Sequence, residues 1–192
     1  MNEKIGIIIP SYNQGKYLER TILSVLGNSQ NANIQIALID GGSTDNTWNI
    51  IQKYKNYITA WCSEPDNGQA AAINKGIRLL PECQYYMWLN SDDVFETDDS
   101  VKKILDFAVA NKYEVCYGLS HFIDEDGNII GDYPVDLNDM SVLEENIEQQ
   151  QEELEIMVEQ NNVAEDDIFE IKIVIDSLWC PFELGINNDM RN

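Results

Sequence analysis

Histidine is almost missing from this sequence: His121 is the single one in 192 residues. A metal centre built from several imidazoles is therefore excluded. Basic residues are scarce as well, with 12 Lys and Arg against 34 Asp and Glu and a formal charge of −22. So acidic a chain lacks the positive field that draws proteins to nucleic acid or to anionic membranes, and neither is expected as a partner. The same field would repel a nucleotide unless a divalent cation or a local dipole offset it. Cys62, Cys83, Cys116 and Cys180 stand far apart with no Cys-x-x-Cys pair. They read as reduced thiols rather than a disulfide or zinc set. No stretch approaches the roughly 18 apolar residues of a membrane span. Met1–Lys4 leads straight into Ile5–Ile9 with no leader pattern. The expected location is the cytoplasm, with peripheral attachment at the inner membrane face as a variant of it. Neither a Gly-x-Gly-x-x-Gly run nor a Walker lysine motif occurs, which argues against a dehydrogenase or a P-loop enzyme.

What is present is a regular alternation of strand and helix signals, in a composition that is 44% hydrophobic and so rich enough for a core. Ile5–Ile9 is a continuous β-branched run, the mark of a strand buried on both faces. A polar turn over 11–16 precedes a helix with Leu18, Ile22 and Val25 on one face. Gln35–Ile39 predicts a second strand. Thr44 or Asp45 can cap a second helix, with Trp48, Ile51 and Tyr54 predicted to face inward. Thr59–Cys62 is a short third strand, and Ala70–Leu80 a helix closed by Pro81. Tyr85–Leu89 is a fourth strand. A helix over Ser100–Ala110, a strand over Glu114–Tyr117 and a hairpin around Asp126-Gly127 follow. Repeated βα units predict an α/β fold, a mostly parallel sheet flanked by helices. In such sheets ligands bind at the carboxyl ends of the strands.

Beyond Val135 the texture changes. Residues 141–160 are rich in Glu and Gln, with Leu143, Ile147, Leu154 and Val158 on one helical stripe. This reads as an acidic C-terminal helical region, a solvated helix packed by one side or a partner-binding helix. The division expected is 1–135 as the binding domain and 136–192 as a divergent, partial acceptor-side segment.

Four polar clusters stand at the ends of the predicted strands. Pro10-Ser11-Tyr12-Asn13 suits a loop gripping a flat heterocycle, or a plain strand-to-helix turn. In Asp40-Gly41-Gly42-Ser43-Thr44-Asp45 the carboxylate of Asp40 could accept from a base N–H, a charged hydrogen bond contributing about 1.5–3 kcal/mol. The glycines let backbone approach a ligand. This stretch also looks like the phosphate loop of actin-like kinases and, more loosely, an aspartyl phosphatase; a tight turn is the plainer reading. Glu64-Pro65-Asp66-Asn67-Gly68 opens a helix whose N-terminus offers N–H groups to a diphosphate, with Asn74 and Lys75 further along. Asn90-Ser91-Asp92-Asp93 sets two adjacent carboxylates at a strand end, where like charges repel unless a cation is present. Mn²⁺ or Mg²⁺ would suit them, since such ions take one or two carboxylates plus substrate phosphates.

In this order the motifs Ile-Ile-Pro-Ser-Tyr-Asn, Ile-Asp-Gly-Gly-Ser-Thr-Asp, Ser-Glu-Pro-Asp-Asn-Gly and Leu-Asn-Ser-Asp-Asp resemble the family 2 glycosyltransferases of the GT-A fold, over roughly residues 4–134. An actin-like loop should open its domain, but here a Pro-Ser-Tyr-Asn strand end precedes it. The resemblance implies an inverting transfer of sugar from a nucleoside-diphosphate donor to a saccharide or lipid-linked acceptor. It implies a nucleotide-sugar site of Pro10, Ser11, Tyr12, Asn13, Asp40, Gly42, Ser43, Asp66, Asn67, Gly68, Asn74 and Asp92. Asp92 and Asp93 match the family's Asp-x-Asp metal motif, with Asn90 where that motif often has another acid. The catalytic base would fall in Glu165-Asp166-Asp167, with Asp166 the first choice and Asp176 and Asp189 behind it. A non-catalytic nucleotide-sugar-binding module, and an interaction protein acting through its acidic helix, are the competing readings.

Overall fold

The computed structural model describes residues 3–112, 115–118, 120–132 and 173–175. The chain divides into two compact units, Met1–Tyr133 with Ile171–Asn192, and Pro134–Glu170. All described residues belong to the first. The acidic 141–160 stretch and the base candidates Asp166, Asp176 and Asp189 lie outside the described residues.

The elements in chain order are β1 (Lys4–Ser11), α1 (Leu18–Asn28), β2 (Asn33–Asp40), α2 (Thr47–Tyr54), β3 (Ala60–Ser63), α3 (Gln69–Leu79), β4 (Tyr85–Trp88), α4 (Ser100–Asn111), β5 (Val115–Tyr117), β6 (His121–Ile123), β7 (Ile129–Asp132) and β8 (Ile173–Ile175). Six of the strands form one sheet in the order β3-β2-β1-β4-β8-β5, every pair parallel. The expected α/β architecture is thus the observed one. β8 enters the sheet between β4 and β5, so part of the 136–192 segment belongs to the first unit.

The central strands are buried on both faces, which is why they read as unbroken apolar runs. Ile5, Ile7 and Ile9 point to one face, where they pack with Leu18, Ile22 and Val25 of α1 and Ile50 and Ile51 of α2. Ile8 points to the other and packs with Ala72 of α3. Gly76 lets α3 lie directly on β1, because a Cβ there would come within 2.5 Å of Ile8 Cγ2. Burial pushes the thiol of Cys83, in the same layer, up to about 11. Cys62, Cys83 and Cys116 are all free thiols.

The inward face predicted for α2 needs correction. Thr47, Ile50 and Ile51 are its buried residues, whereas Trp48 is 45% exposed. β3 is the sheet edge, so Trp48 packs edge-on against Trp61 of β3, with ring centroids 5.6 Å apart. Nor does a side chain cap α2 at its N-cap residue, Asn46. Asp45 instead accepts from Thr47 N (2.9 Å) and Gly15 N (2.8 Å), tying the α2 start to the loop after β1. The hairpin forms as expected, with β6 and β7 antiparallel and Gly127 at φ +90 in its turn. It is joined to α1 by a Lys16–Glu125 ion pair and by Arg20 Nη1 donating to the Glu125 carbonyl.

Candidate functional site

Leu89 N donates to Ile8 O and Gly41 N to Ser11 O, so the strand ladder continues into the loops at the carboxyl ends of β4 and β2. The order of strands reverses between β1 and β4, and at that switch point the loops leave an open crevice of about 690 Å³. Each of the four predicted clusters contributes to its wall: Ser11 and Tyr12 after β1, Gly41 after β2, Asp66 and Gly68 after β3, and Asp92 after β4.

Ser11 is 5% exposed, and its Oγ has no hydrogen-bond partner among the described residues. A buried hydroxyl at a crevice wall without a protein partner is a natural contact for a bound polar group. Tyr12 is 64% exposed and presents its ring to solvent beside it. The opposite wall is the start of α3, whose N-cap is Gly68 at φ +101 and ψ −176. Only glycine takes that conformation readily. Gly68 carries no side-chain cap, so the first-turn amides of α3 remain directed at the crevice with the positive end of the helix dipole. Asp66 Oδ1 accepts from Gly68 N at 2.8 Å and fixes this turn.

Several predicted residues brace the site instead of lining it. Asp40 is 1% exposed. Its carboxylate accepts from Ser43 N (3.2 Å), Ser43 Oγ and Ser63 Oγ (2.6 Å), which holds the β2 and β3 loops together behind the wall. Asp40 is absent from the crevice wall, and in this structure its carboxylate braces the loops. Ser43 is occupied in the same way, accepting from Asn13 N at 2.7 Å while donating to Asp40. Asn13 has φ +55, and its side-chain oxygen accepts from Thr44 N at 2.9 Å, turning it away from the crevice. Gly42 has φ +85 and lies against Pro65, where a Cβ would come within 3.1 Å of the Pro65 nitrogen. Asn67 and Asn74 do not line the crevice. Lys75 pairs with Glu64, outside the crevice wall.

Asp93, expected as a second metal ligand, is 0% exposed and absent from the crevice wall. The turn that exposes Asp92 buries its neighbour. Asp93 N donates to Asn90 O at 3.1 Å, and Asp93 Oδ2 accepts from Asn90 Nδ2 at 3.0 Å. A row of α1 side chains holds this loop from behind, a feature the apolar periodicity of α1 did not reveal. Thr21 Oγ1 donates to Ser91 O (2.9 Å), and Asn28 donates to Thr97 O (2.9 Å) and accepts from Val101 N (3.0 Å). Polar residues recurring at 21, 24 and 28 were the available signal. Gln14, Gln69 and Asn90 also line the crevice and were missing from the expected site.

No lysine or arginine lines the crevice among the described residues. Nor do these residues contain a group of three or more His, Cys, Asp or Glu able to hold a metal by themselves. Asp92, partly exposed at the wall, is what remains. One carboxylate fits a hard cation that brings phosphate oxygens with it, and does not fit a cage made of protein alone.

A parallel sheet with a polar crevice at the β1/β4 switch and a carboxylate just past β4 has the architecture of an α/β domain of the GT-A type. The chain belongs to glycosyl transferase family 2, whose model matches residues 6–167. It is 38% identical over 130 residues to an uncharacterized glycosyltransferase of Haemophilus influenzae, covering 66% of this chain and 50% of that protein. It is 34% identical over 131 residues to a chondroitin synthase of Escherichia coli, covering 66% of this chain and 18% of that one. The chain thus spans half or less of the length of these relatives. Among solved structures, TarS of Staphylococcus aureus in complex with UDP-GlcNAc superposes with a TM-score of 0.52 at 19% identity, over 66% of this chain and 36% of that one. The mannosyltransferase PcManGT of Pyrobaculum calidifontis, in complex with GDP-Man and Mn²⁺, gives 0.50 at 15% identity over 62% and 35%. These likenesses establish the fold. No helix among the described residues is long and apolar enough to cross a membrane.

Proposed function

We propose that this chain is the donor-binding part of a divalent-cation-dependent, inverting glycosyltransferase that transfers sugar from a nucleoside diphosphate to a saccharide or lipid-linked acceptor hydroxyl, in polysaccharide or glycoconjugate synthesis. The observation that carries the reading is the convergence of Ser11, the Asp66–Gly68 turn and Asp92 on one crevice with no basic side chain among the described residues. A diphosphate entering it meets the α3 amides on one side and Asp92 on the other. Two negative groups can adjoin there only with a cation between them. Relatives of the same fold bind a nucleotide sugar and, in one case, Mn²⁺.

We assign the roles of the described residues from their place at the crevice, and that of the base from the family resemblance alone. The exposed Tyr12 ring offers a stacking face for the base, and Asp66 an acceptor for ribose or base. Ser11 Oγ and the start of α3 hold phosphate oxygens. Asp92 holds Mn²⁺ or Mg²⁺, which when bound stabilises charge growing on the departing diphosphate. Asp40 and Ser43 keep the walls in place without touching the donor. Asp166 takes the acceptor proton as the sugar is displaced, with Asp176 and Asp189 as alternatives. A second reading, a non-catalytic nucleotide-sugar-binding module or incomplete enzyme acting with a partner, accords with the share of each relative that the chain spans.

A panel of UDP-, GDP- and dTDP-sugars tested by thermal shift with and without Mn²⁺ separates these outcomes. The expected result is a raised melting temperature for one base, seen only with the metal; ligand at 100 times Kd stabilises by about 2.7 kcal/mol. Release of nucleoside diphosphate when acceptor is added marks the enzyme, and binding without release marks the module. A panel with no metal-dependent shift rejects the site.

A further inference from the structure

Gln69, the first residue of α3, donates from Nε2 to Asn90 Oδ1 at 2.6 Å, and Asn90 Nδ2 donates to Asp93 Oδ2 at 3.0 Å. The direction of this chain is set at its buried end. A carboxylate only accepts, so Asn90 must turn its NH₂ toward Asp93. Its carbonyl is then left facing α3, where only a donor can meet it. Gln69 supplies that donor, and a Glu of the same size could not. An acid at position 90 would likewise set carboxylate against carboxylate at Asp93.

The tie joins two elements far apart in sequence, the start of α3 and the loop after β4. These carry the two groups that face each other across the crevice, the α3 amides and Asp92. Asp66 holds the turn before α3 through Gly68 N, on the α3 side of the crevice, and Gly68 itself adds no contact across it: nothing lies within 4 Å of where its Cβ would stand.

We propose that Gln69 is a positioning residue for the donor: through Asn90 it fixes the spacing between the start of α3 and Asp92, and so sets affinity for the cation-bridged diphosphate without contacting it. This rests on the donor-site reading above. The bond is exposed to water in the free protein and so contributes little to folding. Its effect is felt when a ligand must bridge both walls.

Calorimetric titration with UDP and with GDP, each in the presence of Mn²⁺, tests this on the full chain. Gln69→Ala is expected to weaken binding of whichever nucleotide the unmodified protein takes by roughly three- to tenfold, one hydrogen bond's worth, with the melting temperature unchanged. Gln69→Met, which keeps the length but has no donor, should lose as much. Asn90→Ala should weaken binding to a similar extent, and the double variant Gln69→Ala/Asn90→Ala should bind no worse than the weaker single one, because both break one tie. Wild-type affinity in Gln69→Ala, recovery in Gln69→Met, or losses that multiply in the double variant would overturn the proposal. Failure of the unmodified protein to bind any of UDP, GDP and, in a third titration, dTDP overturns the donor site itself, and the tie's role with it.

Discussion

Replacing Asp92 by Ala is expected to lower metal-dependent turnover of the nucleotide sugar by roughly a thousandfold, the size of loss seen when one preorganised group is removed from developing charge. The expectation is this large because the described residues of the crevice wall offer only one other carboxylate, Asp66. Asp93 is buried against Asn90, Asp66 is engaged with Gly68 N, and no basic side chain lines the wall among the described residues. Folding should be little affected, since Asp92 is partly exposed and the loop remains held by Thr21, Asn28 and Leu89 N. Nucleoside diphosphate release at saturating Mn²⁺, with a melting curve beside it, measures both. Full turnover in Asp92→Ala would remove the metal role from this loop.

Asp40→Ala is expected to act through stability. It strips partners from Ser43 N, Ser43 Oγ and Ser63 Oγ at a site that is 1% exposed. Leaving buried donors unmatched costs on the order of 3 kcal/mol, a fall in Tm of about 8 °C for a domain of this size. Donor affinity should fall with it, because Gly41, next along the chain, lines the crevice. Asp40→Asn keeps one acceptor and the volume and should fall between the two. Urea unfolding gives the measurement. An Asp40→Ala protein of native stability that lost only donor binding would show instead that Asp40 contacts the nucleotide directly.

The sheet was legible because its central strands are buried on both faces and so carry unbroken apolar runs, each ending in a polar cluster. Strand existence, order of elements and the end at which the site lies follow from that alone. What could not be read was which member of each cluster faces the ligand. Asp92 and Asp93 are adjacent and chemically identical; the turn after β4, set by Asn90, exposes one and buries the other. Asp40, Ser43 and Asn13 look like ligand groups in sequence because loop-bracing uses the same short polar side chains that ligand-binding does. α2 misled for a different reason. Its periodicity placed Trp48 inward, but β3 ends the sheet and leaves that position over the edge. The tie between Gln69 and Asn90 could not be read because it is a tertiary contact between residues 21 apart.

Paramagnetic broadening of backbone amides by Mn²⁺, recorded with and without the nucleotide selected by the donor panel, tests the central claim most directly. With nucleotide present, the amides of Ser11, Gly41, Gly68 and Asp92 should broaden together, and those at the acidic hairpin tip, Asp124 to Asn128, should stay sharp. Broadening centred on the hairpin, or on Asp92 alone with Gly41 and Gly68 untouched, would contradict a single crevice holding a cation-bridged diphosphate.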